Sequence, residues 1–270
     1  MSESGIRIER QGRVAVVILA HGRMNTVTLD MTRALGAALT ELEADEGVGA
    51  LVLTGDGDHA FCAGSEIREF PRLCAEREIV RTKLHPENEV YGRVAHFPKP
   101  TVAAIEGIAL GGGLELAAGC DMLVASAQSR LGLPEIRLGG FPGSGGTVRV
   151  TRRIGMGRAK EMMLLGDMIS AETALAWGLI NRVTPAGQAK SVALELATRL
   201  ADAPAQAAFA CKRALENAFD LPESEAIARS LDLSETLSQT KDFNEGVTAF
   251  IEKRPARFSD MLTTVDFRDR

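Results

Sequence analysis

Residues 106–146 read EGIALGGGLELAAGCDMLVASAQSRLGLPEIRLGGFPGSGG, and this stretch decides both the fold and the chemistry. Gly111, Gly112 and Gly113 remove three Cβ atoms in a row, so a ligand can come very close to the backbone. The apolar residues after them, Leu114, Leu116, Ala117 and Ala118, predict a short buried helix. Amides at the start of a helix have no intrahelical partner and lie at its positive end. A glycine turn feeding such a helix binds an anion, or an oxygen that becomes one. Glu115 and Glu135 sit in the same glycine-rich, mostly apolar surroundings and can supply an acid and a base. Glu115 falls in the predicted first turn, where the positive end favours its ionised form. The combination points to chemistry on a carbonyl compound.

Working outward, the helix lies between two predicted strands, Thr101–Ile105 and Met122–Ala125. Upstream, IRIER (6–10) alternates and VAVVIL (14–19) is a continuous apolar run, with Gln11-Gly12 between them, which predicts a hairpin. From Leu29 the spacing turns helical, with Leu35, Leu39 and Leu42 on one face, and ALVLT (50–54) is a further buried strand. Phe61–Ser65 is a second glycine-containing turn, before a short helix over 66–70. Residues 72–95 are charged and helical in pattern, with Pro86 expected to interrupt them. Helices are predicted over 146–154, 157–165 and 171–177, with a strand at 180–183. Four more helical segments come after Pro185, broken at Pro204, Pro222 and around Asp242. Strands alternating with helices define an α/β fold.

The net charge of −5 gives no overall attraction to nucleic acid or to an anionic membrane. Hydrophobic residues make up 45% and charged residues 25% of the chain, the balance of a soluble globular protein. Cys62, Cys74, Cys120 and Cys211 form no CxxC pair, which suits reduced cysteines in the cytoplasm. The apolar run near the N-terminus alternates like a strand and is too short for a signal peptide, and no run reaches the length of a membrane span.

Three other chemistries fail on spacing. Gly111 and Gly113 would need a glycine at 116 to complete G-x-G-x-x-G, and that position is Leu116. Ser144 lacks the first glycine of G-x-S-x-G, because Pro142 stands there. No His/Cys/Asp cluster has metal-ligand spacing.

The blocks ALGGGLELAAGCDMLVAS and LPEIRLGGFPGSGGTVRVTRRIG resemble the enoyl-CoA hydratase/isomerase family, the crotonases. So do VGALVLTGDGDHAFCAGSEIRE upstream, and AKEMMLLGDMISAETALAWGLINRVTP and EGVTAFIEKRPARF downstream, so that the resemblance spans roughly 12–258. It implies a crotonase-like spiral of ββα units over 1–200, which carries the active site, and a helical trimerisation region over 201–270. It places Glu115 and Glu135 on the two catalytic glutamates of the hydratases, and Gly112 and Ser65 on the two oxyanion-hole amides. Arg23, Met24 and Thr26, with Ala63 and Ile67, match the segments that lie along coenzyme A. The chain departs from the family at Ser65-Glu66, where many members have Ala-Asp; the amide donor survives, while the support of the loop changes.

The implied activity is hydration of a trans-2-enoyl-CoA to a 3-hydroxyacyl-CoA. Coenzyme A enters with the substrate, and no metal or redox cofactor is implied. The alternatives are another reaction of the family, enoyl-CoA isomerisation or hydration of an aryl-enoyl-CoA, and a non-catalytic acyl-CoA- or RNA-binding homologue. The implied assembly is a homotrimer or a dimer of trimers. From the residues without the resemblance, the glycine turns serve equally as tight turns, Glu115 as a capping carboxylate and Glu135 as a surface residue.

Overall fold

A computed structural model of the protein describes residues 5–260 and 262. The chain enters as a hairpin, β1 (Ile6–Gln11) and β2 (Val14–Leu19), and α1 (Leu29–Ala44) leads into the first of three strand pairs. These are β3 (Ala50–Gly55) with β4 (Ala60–Cys62), β5 (Thr101–Ile105) with β6 (Ile108–Leu110), and β7 (Met122–Ser126) with β8 (Arg130–Gly132). The first strand of each pair joins one sheet and the second joins another. The larger sheet runs β1-β2-β3-β5-β7-β10 and the smaller β4-β6-β8-β9, with β9 at Ile169–Ser170 and β10 at Arg182–Thr184. Within the larger sheet only the β1–β2 hairpin is antiparallel. Each pair therefore moves the chain one step along both sheets, which is the spiral of ββα units that the resemblance implies.

The apolar runs form strands because both faces of the larger sheet are covered. Ala15, Val17, Leu51, Leu53, Ala103 and Ile105 face the main core between the sheets. Their neighbours Val14, Val16, Val52, Val102 and Val124 face the opposite side, against α7 (Ala189–Ala201). The helices between are α2 (Phe70–Ala75), α3 (His85–Ala95), α4 (Gly112–Ala117), α5 (Gly146–Leu165, bent at Gly155) and α6 (Ala171–Trp177).

The turn from β5 to β6 opens the decisive stretch and also holds α7. Glu106, nearly buried, accepts hydrogen bonds from the amides of Gly187 (3.2 Å) and Ala189 (2.8 Å). Those amides stand at the start of α7, where donors lack helical partners and a carboxylate meets the positive end.

Two expectations are corrected. Pro86 does not interrupt a helix; it occupies the first turn of α3, where its missing N–H costs nothing, and a π-helix at Ile79–Leu84 runs directly into that turn. The strand expected at 180–183 lies at Arg182–Thr184, because the amide of Asn181 and its side chain are both tied to Leu123 just before pairing begins.

The chain ends in α8 (Ala205–Asp220), α9 (Glu223–Ser238) and α10 (Lys241–Glu252), with breaks at Pro204 and Pro222 as the sequence indicates. Residues 1–4, 261 and 263–270, which belong to the ends of the two regions inferred from the sequence, lie outside the described residues. These helices share a small cluster around Phe209 and Leu233, yet leave Leu215, Phe219, Ile227, Leu231, Phe250 and Ile251 exposed. That much outward apolar surface is characteristic of a face covered by another chain. Self-association is the expected outcome, and sedimentation equilibrium at micromolar concentration should return a multiple of 28.8 kDa; a pure monomer would contradict it.

Candidate active site

The turn at 62–65 and the glycine run at 111–113 pack against each other, and the three glycines are there for three different reasons. Gly113 lies so close to β4 that a Cβ would stand 2.1 Å from the carbonyl oxygen of Cys62. Gly111 has φ +52°, and a Cβ there would approach Glu135 Oε1 to 3.1 Å. Gly112 meets neither demand. A Cβ on it would sit at ordinary contact distance from three groups: 3.4 Å from the Tyr91 hydroxyl, 3.6 Å from Ser65 Oγ and 3.7 Å from Ser65 N. The backbone tolerates a side chain at 112; the space in front of it is what a methyl would fill.

The nitrogen of Ser65, one of the two amides inferred from the sequence, lies beside that space. Among the described residues neither the N–H of Ser65 nor that of Gly112 donates a hydrogen bond. Gly112 is the first residue of α4, where an orphan donor is normal. Ser65 is held from both sides: Val27 N donates to Gly64 O (2.9 Å) and Glu66 N to Val27 O (2.8 Å), leaving the Ser65 amide between them unused. Two fixed donors without partners can polarise a carbonyl oxygen.

The two glutamates come from neighbouring segments, Glu135 approaching Gly111 and Glu115 approaching Gly146. Glu115, 2% exposed, turns its Oε1 to the amides of Ser144 (2.7 Å) and Gly146 (2.8 Å). The positive helix end that serves it is therefore that of α5, beyond the turn 143–146, and not that of its own helix. Burial outweighs those bonds, and with the negative charge of Glu135 it pushes the Glu115 carboxyl up to about 7. Burial also raises Glu135, whose Oε2 is buried without a hydrogen-bond partner among the described residues. The expectation that the helix end would favour ionised Glu115 is thus reversed by desolvation. Both carboxyls are thus harder to ionise than a solvated glutamate, with burial as the leading cause for each.

The other residues singled out in the sequence lie along the same turn. Met24 O accepts from Ala63 N (3.0 Å), which ties the 22–28 loop to the turn. Thr26 Oγ1 donates to Glu66 (3.0 Å). Glu66 in turn caps the 3-10 helix Ile67–Glu69, accepting from Arg68 N (3.1 Å) and pairing with the Arg68 guanidinium at 2.8 Å. Glu66 thus supports the loop itself. Ile67 is half-exposed, and Arg23 is exposed with Nη2 3.4 Å from His59 Nδ1.

Three residues that sequence reasoning left unassigned reach the site from the π-helix and α3. Ser65 Oγ donates to both oxygens of Glu87 at 3.0 Å, and Glu87 is 1% exposed. Lys83, fully buried, balances that carboxylate: its Nζ lies 3.2 Å from Glu87, 2.7 Å from Glu69 and 2.7 Å from Val27 O. Tyr91 completes the row. The spacing 83, 87, 91 is the one available signal, a stripe on one helical face.

Two carboxyls raised by burial and two unused amides, all carried by the segments around the smaller sheet, are groups that could move protons next to a carbonyl. A model of the enoyl-CoA hydratase/isomerase family matches residues 9–261. A probable enoyl-CoA hydratase of Rhizobium meliloti is 37% identical over 96% of this chain and 99% of its own. The short-chain-enoyl-CoA hydratase of Clostridium acetobutylicum is 34% identical over 94% of this chain and 97% of its own. The crystal structure of enoyl-CoA hydratase from Bacillus anthracis superposes with a TM-score of 0.89 at 34% identity, covering 94% of this chain and 98% of that one. The chain belongs to the enoyl-CoA hydratase/isomerase family and has the crotonase fold.

The glycine run offers a test that separates site from scaffold. Gly112→Ala should fold normally, and an alanine in a helix is more stable than glycine by up to about 1 kcal/mol. It should nevertheless lose most activity, because its methyl occupies the space between the amides. Gly113→Ala should instead fail in folding, seen as a depressed melting temperature or insolubility. Full activity in Gly112→Ala would show that this space takes no substrate.

Proposed function

We propose that the chain is an enoyl-CoA hydratase that adds water reversibly across a trans-2-enoyl-CoA to give a 3-hydroxyacyl-CoA. One observation supports this reading: the amides of Ser65 and Gly112 have no partner among the described residues, and two carboxyls raised by burial, Glu115 and Glu135, stand in the adjoining segments. The thioester oxygen lies between the amides of Ser65 and Gly112. As the α-carbon gains electron density, that oxygen becomes enolate-like, and fixed donors stabilise it more than the ground-state carbonyl. Ionised Glu115 holds a water and takes its proton as the oxygen bonds to the β-carbon. Protonated Glu135 gives its proton to the α-carbon. One water is consumed, and the proton gained by Glu115 replaces the one lost by Glu135 when the pair re-equilibrates.

Hydration calls on two carboxyls, one to take a proton from water and one to give a proton to the α-carbon, whereas isomerisation needs only one group to carry a proton between carbons. The reaction exchanges only water and a proton, so no metal or redox cofactor enters the proposal. Coenzyme A arrives with the substrate, along Arg23, Met24, Thr26, Ala63 and Ile67. The Ala63 amide is engaged by Met24 O, so its carbonyl is the group left for the ligand. Four free cysteines, Cys62 and Cys120 buried and Cys74 and Cys211 exposed, support a reducing compartment such as the cytoplasm. Among the described residues no helix is long and apolar enough to cross a membrane. The exposed faces of α8 to α10 support a homotrimer or a dimer of trimers.

The proposal is tested with a panel of enoyl-CoA thioesters, read by loss of conjugated absorbance. On a substrate the parent hydrates, Glu135→Gln should keep acyl-CoA affinity and lose turnover by about 10²-fold. Wild-type turnover in that variant would remove Glu135 from the mechanism.

The pH dependence has a definite sign. Glu115 must be ionised to take a proton from water, and its pKa stands at about 7. The kcat/KM of the wild type should therefore fall about tenfold per unit as pH drops below about 7. Stability moves the other way. A carboxyl raised from its ordinary 4.5 binds its proton more tightly in the folded chain. Its contribution is complete below about 4.5 and is lost as pH rises through about 7. A flat profile of kcat/KM between pH 5 and 8 would show that Glu115 is not the base.

A further inference from the structure

The side chain of Tyr91 is fully buried, and its hydroxyl is one of the few buried polar atoms without a hydrogen-bond partner among the described residues. Another is Oε2 of Glu135, in the same site. A buried hydroxyl left unpaired is destabilising, and a phenylalanine would fill nearly the same volume without that cost. The hydroxyl therefore has no structural justification in the resting chain. It faces the space in front of Gly112, closer to the position a methyl would take there than either Ser65 N or Ser65 Oγ.

The neighbouring hydroxyl cannot take the same part. Ser65 spends its proton on Glu87, so toward the space its oxygen offers only lone pairs. Lone pairs oppose an oxygen that is gaining negative charge, and so does the carboxylate of Glu87 behind them. Lys83 offsets that carboxylate, being paired with Glu87. That ion pair leaves the lone pairs of Ser65 without an offset. A further donor aimed at the same place would supply one.

Resting on the hydratase reading, we propose that the Tyr91 hydroxyl is a third donor to the thioester oxygen, beside the amides of Ser65 and Gly112. The phenol gives a hydrogen bond and keeps its proton throughout. Burial, with the charges of Glu87 and Glu115, holds its pKa well above the ordinary value, so the donor stays protonated across the working range. Because the bond strengthens as the oxygen becomes enolate-like, its loss appears in kcat more than in KM.

Tyr91→Phe tests this with three readouts on the full chain. Melting temperature should be unchanged or higher, since an unpaired hydroxyl is removed. For an enoyl-CoA that the parent hydrates, kcat should fall about 10- to 100-fold while KM moves little. A 3-oxoacyl-CoA, whose enolate absorbs in the near ultraviolet, should show a smaller enolate fraction bound to the variant than to the parent. Parent-like kcat and enolate fraction in Tyr91→Phe would overturn the proposal. If the parent hydrates nothing but still enriches the enolate, and Tyr91→Phe loses that enrichment, Tyr91 stands and the hydratase reading falls. If neither protein turns over substrate or enriches the enolate, both fall.

Discussion

The site depends on one close approach between two stretches of backbone. The glycine run at the start of α4 presses against the carbonyl of Cys62, and Gly64 lies against Leu110 O and Gly112 N in return. A side chain at Gly113 would drive the two segments apart, since its Cβ would stand 2.1 Å from the Cys62 carbonyl oxygen. With the side chains removed, the two turns are close enough for their amides to face one space. Backbone donors that are fixed before a ligand arrives lose no energy to reorganisation. Here the fixing comes from β-sheet geometry on one side and a helix start on the other.

Around that contact the charges are arranged against solvation. Glu115, Glu87 and Glu135 are all wholly or largely buried, and each carboxyl is raised above its usual range, with burial as the leading cause. Each is kept in place differently. Glu115 leans on the amides that open α5, Glu87 on Lys83 and Ser65, and Glu135 is left with a free oxygen. A cluster of this kind stabilises a fold poorly, because buried charge costs more than it returns unless fully paired. Its presence here fits a site where proton affinity matters more than stability.

Much of this was legible in the sequence. The apolar runs of β2, β3 and β5, the helix periodicity of α1 and the breaks at Pro204 and Pro222 emerge from local patterns alone. Ser65, Gly112, Glu115 and Glu135 could be named because their surroundings are short, glycine-rich and similar to a known family. The part that stayed hidden is the row Lys83, Glu87 and Tyr91. A polar stripe with helical spacing reads as a solvated face, and only the tertiary fold turns it inward, behind the 62–65 turn. Pro86 misled for a related reason: a proline ends one helix and begins another, and spacing cannot tell which. The ionisation of Glu115 was misjudged because the sequence shows its own helix but not the depth of burial, nor the second helix that supplies its donors.

The two bonds of Glu106 bear on where the chain can be divided. All the groups proposed for chemistry precede residue 147, which invites the view that the catalytic part is separable from the C-terminal remainder. Yet the turn that launches the glycine run is anchored by the amides of Gly187 and Ala189. A chain cut before residue 187 would retain every reacting group and bury a carboxylate with neither of those donors. It would also strip α7 from the outer face of the larger sheet. The smallest functional unit is therefore set by the far side of the sheet, well beyond the last acid or base in the chain.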